Sequence, residues 1–322
     1  MNFNSFSHFS SQPLQYIIQH LKTTFQSTKP HEIIEFDVLN PDIAVSYYSG
    51  EIITKDNQSY IYRSYKVWTD LAHLLYCKML TPIIKNQTLV TIRFQKLNQD
   101  SSFHKDLVGN EKYGTKSLYA KIHKNEESSF LYYFMQSIEQ VFSKANTNDT
   151  FRVLNLGVND GSEFEALQRY IDTTDIEFDS LDMIGIDYCQ SAIQMAQEKF
   201  NDYSNIKLIQ HDINRLEELS LGKFDLIISI GTLQSSGLEF KPLFMDIVQK
   251  YLKKDGAMIL GFPNCRWIDG EMIYGAKAKN YNFPEQSVVI KDIYFCKKYL
   301  QQKRFRAMIT GKDYLFLTAV SI

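Results

Sequence analysis

Near its C-terminus the chain carries two apolar runs, Phe305–Thr310 and Tyr314–Val320, separated only by Gly311-Lys312-Asp313. A parallel connection between neighbouring strands needs a dozen or more residues. Three residues therefore impose an antiparallel hairpin, and the preceding sheet must accept one at its end. Before it, strand and helix patterns alternate. Strands are expected at Arg152–Leu156, Met183–Ile186, Ile206–Ile209, Phe224–Ser229 and Ala257–Gly261. Helices are expected at Ser162–Ile171, Gln190–Phe200, Asn214–Leu219 and Glu239–Leu252. Alternation of this length implies a parallel sheet with helices on both faces, wound by right-handed crossovers. The expected fold class is α/β: a doubly wound, mostly parallel seven-stranded sheet with a C-terminal antiparallel hairpin. A dinucleotide dehydrogenase would continue instead with parallel βα units, so the hairpin argues against a nicotinamide-linked oxidoreductase.

The polar stretch Ser143–Thr150 separates this half from a differently patterned one. Residues 1–145 are expected to form a mixed α+β cap or substrate-recognition region, and residues 146–322 the α/β domain. In the first part, Ile33–Leu39, Ile43–Tyr48 and Thr88–Leu97 read as strands. Glu51–Arg63 reads as a hairpin turning at Asp56-Asn57. Ser64–Met79 and Phe130–Phe142 read as amphipathic helices.

Composition narrows the class further. No apolar run approaches the roughly 20 residues that a membrane span needs, and no signal-peptide pattern opens the chain. The four cysteines, Cys77, Cys189, Cys265 and Cys296, lie far apart. That fits reduced thiols in a cytoplasmic protein better than a disulfide framework. The seven histidines show no ligand spacing, so no metal site is expected. Net charge is −2, which does not advertise a nucleic-acid binder. Residues 1–150 carry net +1 and residues 151–322 net −3, but residues 262–304 carry 8 basic groups against 4 acidic. That segment points to an anionic acceptor or, equally, to a solvated helix face.

Chemistry-bearing residues fall at the carboxyl ends of the expected strands, where open α/β sheets bind ligands. The first strand runs into Asn155-Leu156-Gly157-Val158-Asn159-Asp160-Gly161 and then opens a helix. Gly157 permits a sharp turn, Asn159 tolerates positive φ, and Gly161 lets the helix begin close to a ligand. The helix N-terminus then offers N–H groups to a carboxylate. The second strand ends at Asp187, followed by Tyr188. The third is followed by His211-Asp212-Ile213, and the fourth runs Phe224-Asp225-Leu226-Ile227-Ile228-Ser229-Ile230-Gly231. Each feature has a plainer reading: a glycine-containing turn for the first, helix caps for Asp187 and Asp212.

Taken together and in this order, these segments resemble class I, Rossmann-like methyltransferases that use S-adenosylmethionine. The resemblance covers about residues 151–322, and the terminal hairpin agrees with it. It departs from the family pattern at Asn155, where an acid is common, and at Asn159, where a second glycine is common. Gly256, after Tyr251-Leu252-Lys253-Lys254-Asp255, matches the family's helix-to-strand turn and is expected to cap the helix. The resemblance implies S-adenosylmethionine as cofactor. Asn155, Gly157, Asn159 and Gly161 would receive its methionine moiety, and Asp187 with Tyr188 its ribose. Asp212 and Ile213 would receive the adenine, with Ser229 and Gly231 at the sheet edge.

Methyl transfer from a sulfonium is a direct displacement, so no catalytic motif is obligatory. An acceptor would approach beside the fourth and fifth strands. There, residues 262–290 form a long insertion whose interleaved aromatics, amides and charges are not a disorder composition. It reads as an acceptor-facing lid, or else as a surface excursion. Asn264, Arg266, Trp267, Tyr274 and Lys279 are its candidate acceptor-binding residues. Arg266, Lys277 and Lys279 suit a carboxylate or phosphate. Asp269, Glu271, Tyr281 and, in the first part, His104 are candidate bases. The expected acceptor is a polar, anionic small molecule. RNA is the alternative, although residues 1–150 carry no RNA-binding signature. A degenerate fold that binds a partner without catalysis is the third reading, motivated by Asn155 and Asn159.

Overall fold

The computed structural model describes residues 7–43, 46–98, 113–145, 150–235, 237–263, 265–268, 271–274, 287–312 and 314–322, with side chains left out at 7, 118–119, 265–268, 271–274 and 287–288. Two compact units result: residues 1–101 with 267–274, and residues 102–266 with 275–322.

In the first unit, β1 (Ser7–Phe9), β2 (Ile33–Leu39), β5 (Cys77–Ile84) and β6 (Leu89–Lys96) form a sheet in the order β1-β2-β6-β5. Helix α1 (Leu14–Ser27) buries Ile17, Leu21 and Phe25, spaced four apart on one face. Helix α2 (Tyr65–Leu74) buries Trp68, Leu71 and Ala72. Phe36 centres this core, 5.2 Å from the Phe94 ring, 5.4 Å from Phe9 and 5.6 Å from Trp68. The hairpin of β3 (Ile52–Lys55) and β4 (Gln58–Ile61) turns at Asp56-Asn57 as the sequence leads one to expect, with φ of 52° and 57°. Two expectations fail here. Residues Ile43 and Ser46–Tyr48 are not strand; the Tyr48 amide is instead held by the Glu51 carboxylate at 2.6 Å. The helix expected to reach Met79 ends at Leu74. Tyr76 takes φ of 56° and Cys77 enters β5, because pairing with β6 overrides the helical spacing of the apolar residues.

The second unit begins with α3 (Ser128–Phe142), followed by β7 (Phe151–Leu156), α4 (Ser162–Ile171), β8 (Leu181–Asp187), α5 (Gln190–Lys199), β9 (Ile206–Gln210) and β10 (Phe224–Ile230). After these come α6 (Phe240–Asp246), β11 (Leu252–Pro263), the short pair β12 (Cys265–Ile268) and β13 (Glu271–Tyr274), α7 (Ser287–Gln302), β14 (Phe305–Gly311) and β15 (Tyr314–Ser321). Of the short pair, residues 267–274 fall in the first unit. Seven strands lie in the order β14-β15-β11-β10-β7-β8-β9. The five from β7 to β11 are parallel, and β15 is antiparallel to both β11 and β14. The expected sheet and hairpin are therefore present. The order reverses between β7 and β10, which places the topological switch point beside Gly157.

Three details differ from expectation. The units divide at 101/102 rather than at the polar stretch. Helix α3 explains this: Phe130 and Phe134 pack against Phe316 of β15 with ring centroids 5.4 and 6.0 Å away, and Thr318 Oγ1 donates to Ser137 Oγ at 2.7 Å in the buried interface. The helix expected over Glu239–Leu252 is α6 followed by a π-helical turn, Ile247–Tyr251. Gly256 is not a helix cap but lies inside β11. A Cβ there would come within 2.8 Å of the Asp225 carbonyl oxygen, so close backbone approach requires the glycine.

Candidate cofactor site

Leaving β7, the chain turns at Gly157 (φ 79°), whose amide donates to Ile186 O at 2.8 Å. A Cβ on Gly157 would overlap the Thr232 side chain at 1.9 Å. Asn159 has φ of 47° and Gly161 of 82°, so asparagine supplies the left-handed conformation where the resembled family commonly has glycine. Asp160 Oδ1 accepts from the Ser162 amide and hydroxyl at 3.2 and 2.6 Å, closing the start of α4. Burial pushes the Asp160 carboxyl up, but Ser162, Lys199 and Lys124 outweigh it and hold the group below its usual range.

Asp187 ends β8 half-buried. Its Oδ2 accepts the Asn159 amide at 2.9 Å and its Oδ1 the Cys189 amide at 2.8 Å. It thus ties the glycine loop to the loop after β8. Burial raises its pKa, the backbone donors oppose the rise, and the Glu163 charge adds to it. Tyr188 beside it is exposed. Asp212 Oδ1 accepts the Asn214 amide at 2.9 Å and caps a 3-10 turn, with Ile213 buried behind it. Ser229 is buried and donates to Leu156 O at 3.1 Å, so its hydroxyl bonds β10 to β7. Gly231 has φ of 69°, and a Cβ there would lie 2.8 Å from the Tyr314 hydroxyl.

Asn155 is fully buried in β7 and does not face the sheet edge as a free ligand. Its Nδ2 donates to Glu163 Oε2 at 3.3 Å, while its Oδ1 has no partner. Glu163, also fully buried, pairs with Lys124. Sequence reasoning missed this cluster. Lys124 belongs to a segment stitched across both loops: Asn125 Nδ2 donates to Ser162 O at 2.8 Å, Asn159 Nδ2 to Tyr113 O at 3.1 Å, and the Thr115 amide to Ser191 Oγ at 3.1 Å. Lys124 and Glu163 stand 39 positions apart, and no local pattern joins them.

The residues fit the cofactor that the fold implies. An ionised carboxylate offers about four acceptor positions, and the backbone amides of Asn159, Cys189 and Tyr188 do not fill those of Asp187. Farther along the carboxyl edge, Leu233, Gln234, Leu238, Phe240, Lys241 and Asp292 line an open cleft of about 530 Å³, with Gln234 Nε2 donating to Asp292 Oδ2 at 3.0 Å. Of the acceptor-side candidates, His104, Asn264, Asp269, Lys279 and Tyr281 lie outside the described residues. Arg266, Trp267, Glu271 and Tyr274 lie on β12 and β13, with backbone alone described. Among the described residues no helix is long and apolar enough to cross a membrane.

A family model described as a methyltransferase domain matches residues 148–311. The chain belongs to that family, as a class I S-adenosylmethionine-dependent methyltransferase of Rossmann-like fold, and S-adenosylmethionine is its cofactor. No curated protein matches it. Similar solved structures include an S-adenosylmethionine-dependent methyltransferase from Aquifex aeolicus, at 15% identity over 63% of this chain and 98% of that one, with a TM-score of 0.40. The N-methyltransferase NodS from Bradyrhizobium japonicum WM9, in complex with S-adenosyl-L-homocysteine, is 16% identical over 61% and 89%, with a TM-score of 0.42. Magnesium protoporphyrin IX methyltransferase from Synechocystis PCC 6803, with bound S-adenosylmethionine, is 18% identical over 60% and 80%, with a TM-score of 0.38.

Proposed function

We propose that the protein transfers the methyl group of S-adenosylmethionine to a polar, anionic small molecule. The observation that carries the cofactor half is Asp187, fixed by two backbone amides at the switch point with acceptor capacity to spare. In this reading Asp187 holds the ribose, Asp212 and Ile213 the adenine, and the loop from Gly157 to Gly161 the methionine carboxylate at the start of α4. Asn155 acts one step back, by orienting Glu163 and through it Lys124. The cofactor supplies an electrophilic methyl on a sulfonium. The protein's task is to hold the acceptor atom in line and exclude water.

The acceptor half rests on the cleft after β10 and on Arg266, Lys277 and Lys279. Four of the five other basic residues of the 262–304 segment, all but Lys291 near the start of α7, contribute less than their number suggests. Lys297, Lys298, Lys303 and Arg304 occupy the end of α7 and the turn into β14. Phe305 pairs with Ser321, and Val320 with Ala257 at the amino end of β11, so these four cations lie at the sheet edge opposite the cofactor. Lys298 and Lys303 cover the Tyr294 and Tyr299 rings at 5.6 and 5.4 Å. This favours a small acceptor over RNA. The left-handed Asn159 removes one motive for a degenerate fold.

The test is an acceptor screen with labelled methyl donor on the wild type and on Arg266→Ala and Lys279→Ala. Both variants should keep cofactor affinity and lose acceptor turnover. Loss of cofactor affinity in both would refute the acceptor-side assignment. Salt-sensitive retention on RNA, with methyl incorporation into RNA alone, would refute the small-molecule reading.

A further inference from the structure

Arg63, in the first unit, is a buried cation without a carboxylate. It is 5% exposed, and the acceptor its guanidinium reaches is a neutral backbone oxygen, Gln12 O, at 2.6 Å. Among the described residues no Asp or Glu lies within ion-pair distance of it. Buried arginines are ordinarily paired, because taking the charge out of water is costly without an anion. Burial alone acts on this group, and it lowers the Arg63 pKa.

A second buried donor lies beside it. Trp68 is 1% exposed and its indole Nε1 has no hydrogen-bond partner. The guanidinium carbon sits 5.8 Å from the Trp68 ring centroid. A buried indole N–H nearly always finds an acceptor. Arg63 also directly precedes Ser64, the residue before α2, whose hydroxyl does not cap that helix, and the first turn of α2 has no acid. Three features that favour negative charge thus fall between Arg63 and Trp68 in the chain, and no anion from the described residues answers them.

We propose that Arg63 and Trp68 Nε1 form a binding site, within the N-terminal unit, for the oxyanion group of a small ligand, either a carboxylate or a phosphate. The guanidinium supplies charge and a two-pronged donor; the indole adds one directed N–H. The site stands independently of the methyl-transfer reading, since none of its residues belongs to the cofactor loops.

The test uses the full chain, with succinate and inorganic phosphate as probes at matched ionic strength in sodium chloride. The readouts are the melting temperature and the Trp68 indole N–H resonance, assigned by comparison with Trp267→Phe. One probe should raise the melting temperature saturably and shift the Trp68 resonance, and which one does so distinguishes the two chemistries. Arg63→Met should abolish the response and, without either probe, melt no lower than the wild type because the uncompensated charge is gone. Trp68→Phe keeps the ring packing and should weaken probe binding about tenfold, as loss of one hydrogen bond to a charged group does. A wild type that shows no saturable response to either probe would overturn the proposal. So would a response that persists undiminished in Arg63→Met.

Discussion

Gly157→Ala should disable the cofactor loop, and the reason lies in one neighbour. At φ of 79° any β-carbon is strained, which costs about 1–2 kcal/mol. In addition, the new methyl would lie 1.9 Å from Thr232 Oγ1, 2.6 Å from its Cγ2 and 2.7 Å from its Cβ. No single rotation clears three such contacts, so the loops after β7 and β10 must separate. Thr232 Oγ1 would also give up its contact with Ile230 O at 3.3 Å, worth roughly 0.5–1.5 kcal/mol. The single variant should therefore lose about 2–4 kcal/mol of stability. Thr232→Ala removes two of the three obstructing atoms. In the double variant the cost should fall towards the backbone strain alone, giving a coupling of about 1–2 kcal/mol. Denaturant unfolding of the four proteins measures this cycle. Strictly additive losses would refute the claim that Thr232 packs on Gly157.

Other consequences concern the charges of the same edge. Lys124→Met leaves the fully buried Glu163 without its cation and should destabilise by about 3–5 kcal/mol, whereas Lys66→Met, which breaks an exposed pair with Asp70, should cost less than about 1 kcal/mol; equal losses would show that the buried pair has no special weight. Asn155→Asp would set two buried carboxylates against each other, so one must take up a proton. A carboxyl raised in the folded state contributes stability only while protonated, so this variant should lose stability as pH rises through the raised pKa, and Glu163→Gln should restore it. A pH–stability profile identical to the wild type would sink that reading. Burial holds the Asp187 carboxyl above its ordinary value. Ribose hydroxyls donate best to its ionised form, so cofactor affinity should begin to fall on acidification at a pH above where an ordinary Asp titrates. An affinity that stays flat through that range would contradict the ribose role.

Much of the second unit was legible because its signals are local. The strands and the α4 helix are bounded by runs that alternate as βα units must, and the three-residue gap before Tyr314 admits only a hairpin. The Asp56-Asn57 turn was legible for the same reason: both residues tolerate positive φ. What the sequence hid is decided by contacts between distant segments. Cys77 and Met79 continue the apolar spacing of α2, yet they pair with Lys96 and Phe94 of β6. Helix α1 lacked both a side-chain cap and first-turn acids, so no start signal announced it. Asn155 reads as a weakened motif until Glu163 is seen to place a carboxylate against it from the first turn of α4. The burial of Arg63 on a backbone oxygen, and of the Trp68 indole N–H with no partner, is likewise set by segments distant in the chain.

Every assignment at this edge of the sheet depends on S-adenosylmethionine binding around Asp187. Calorimetric titration of the full chain with S-adenosylmethionine and, separately, with S-adenosylhomocysteine tests it most directly. Saturable binding of both is predicted, weakened in Asp187→Ala by about 1–3 kcal/mol, the scale of hydrogen bonds lost in a buried polar site. A folded wild-type protein that binds neither, or an Asp187→Ala variant that binds both unchanged, would contradict it.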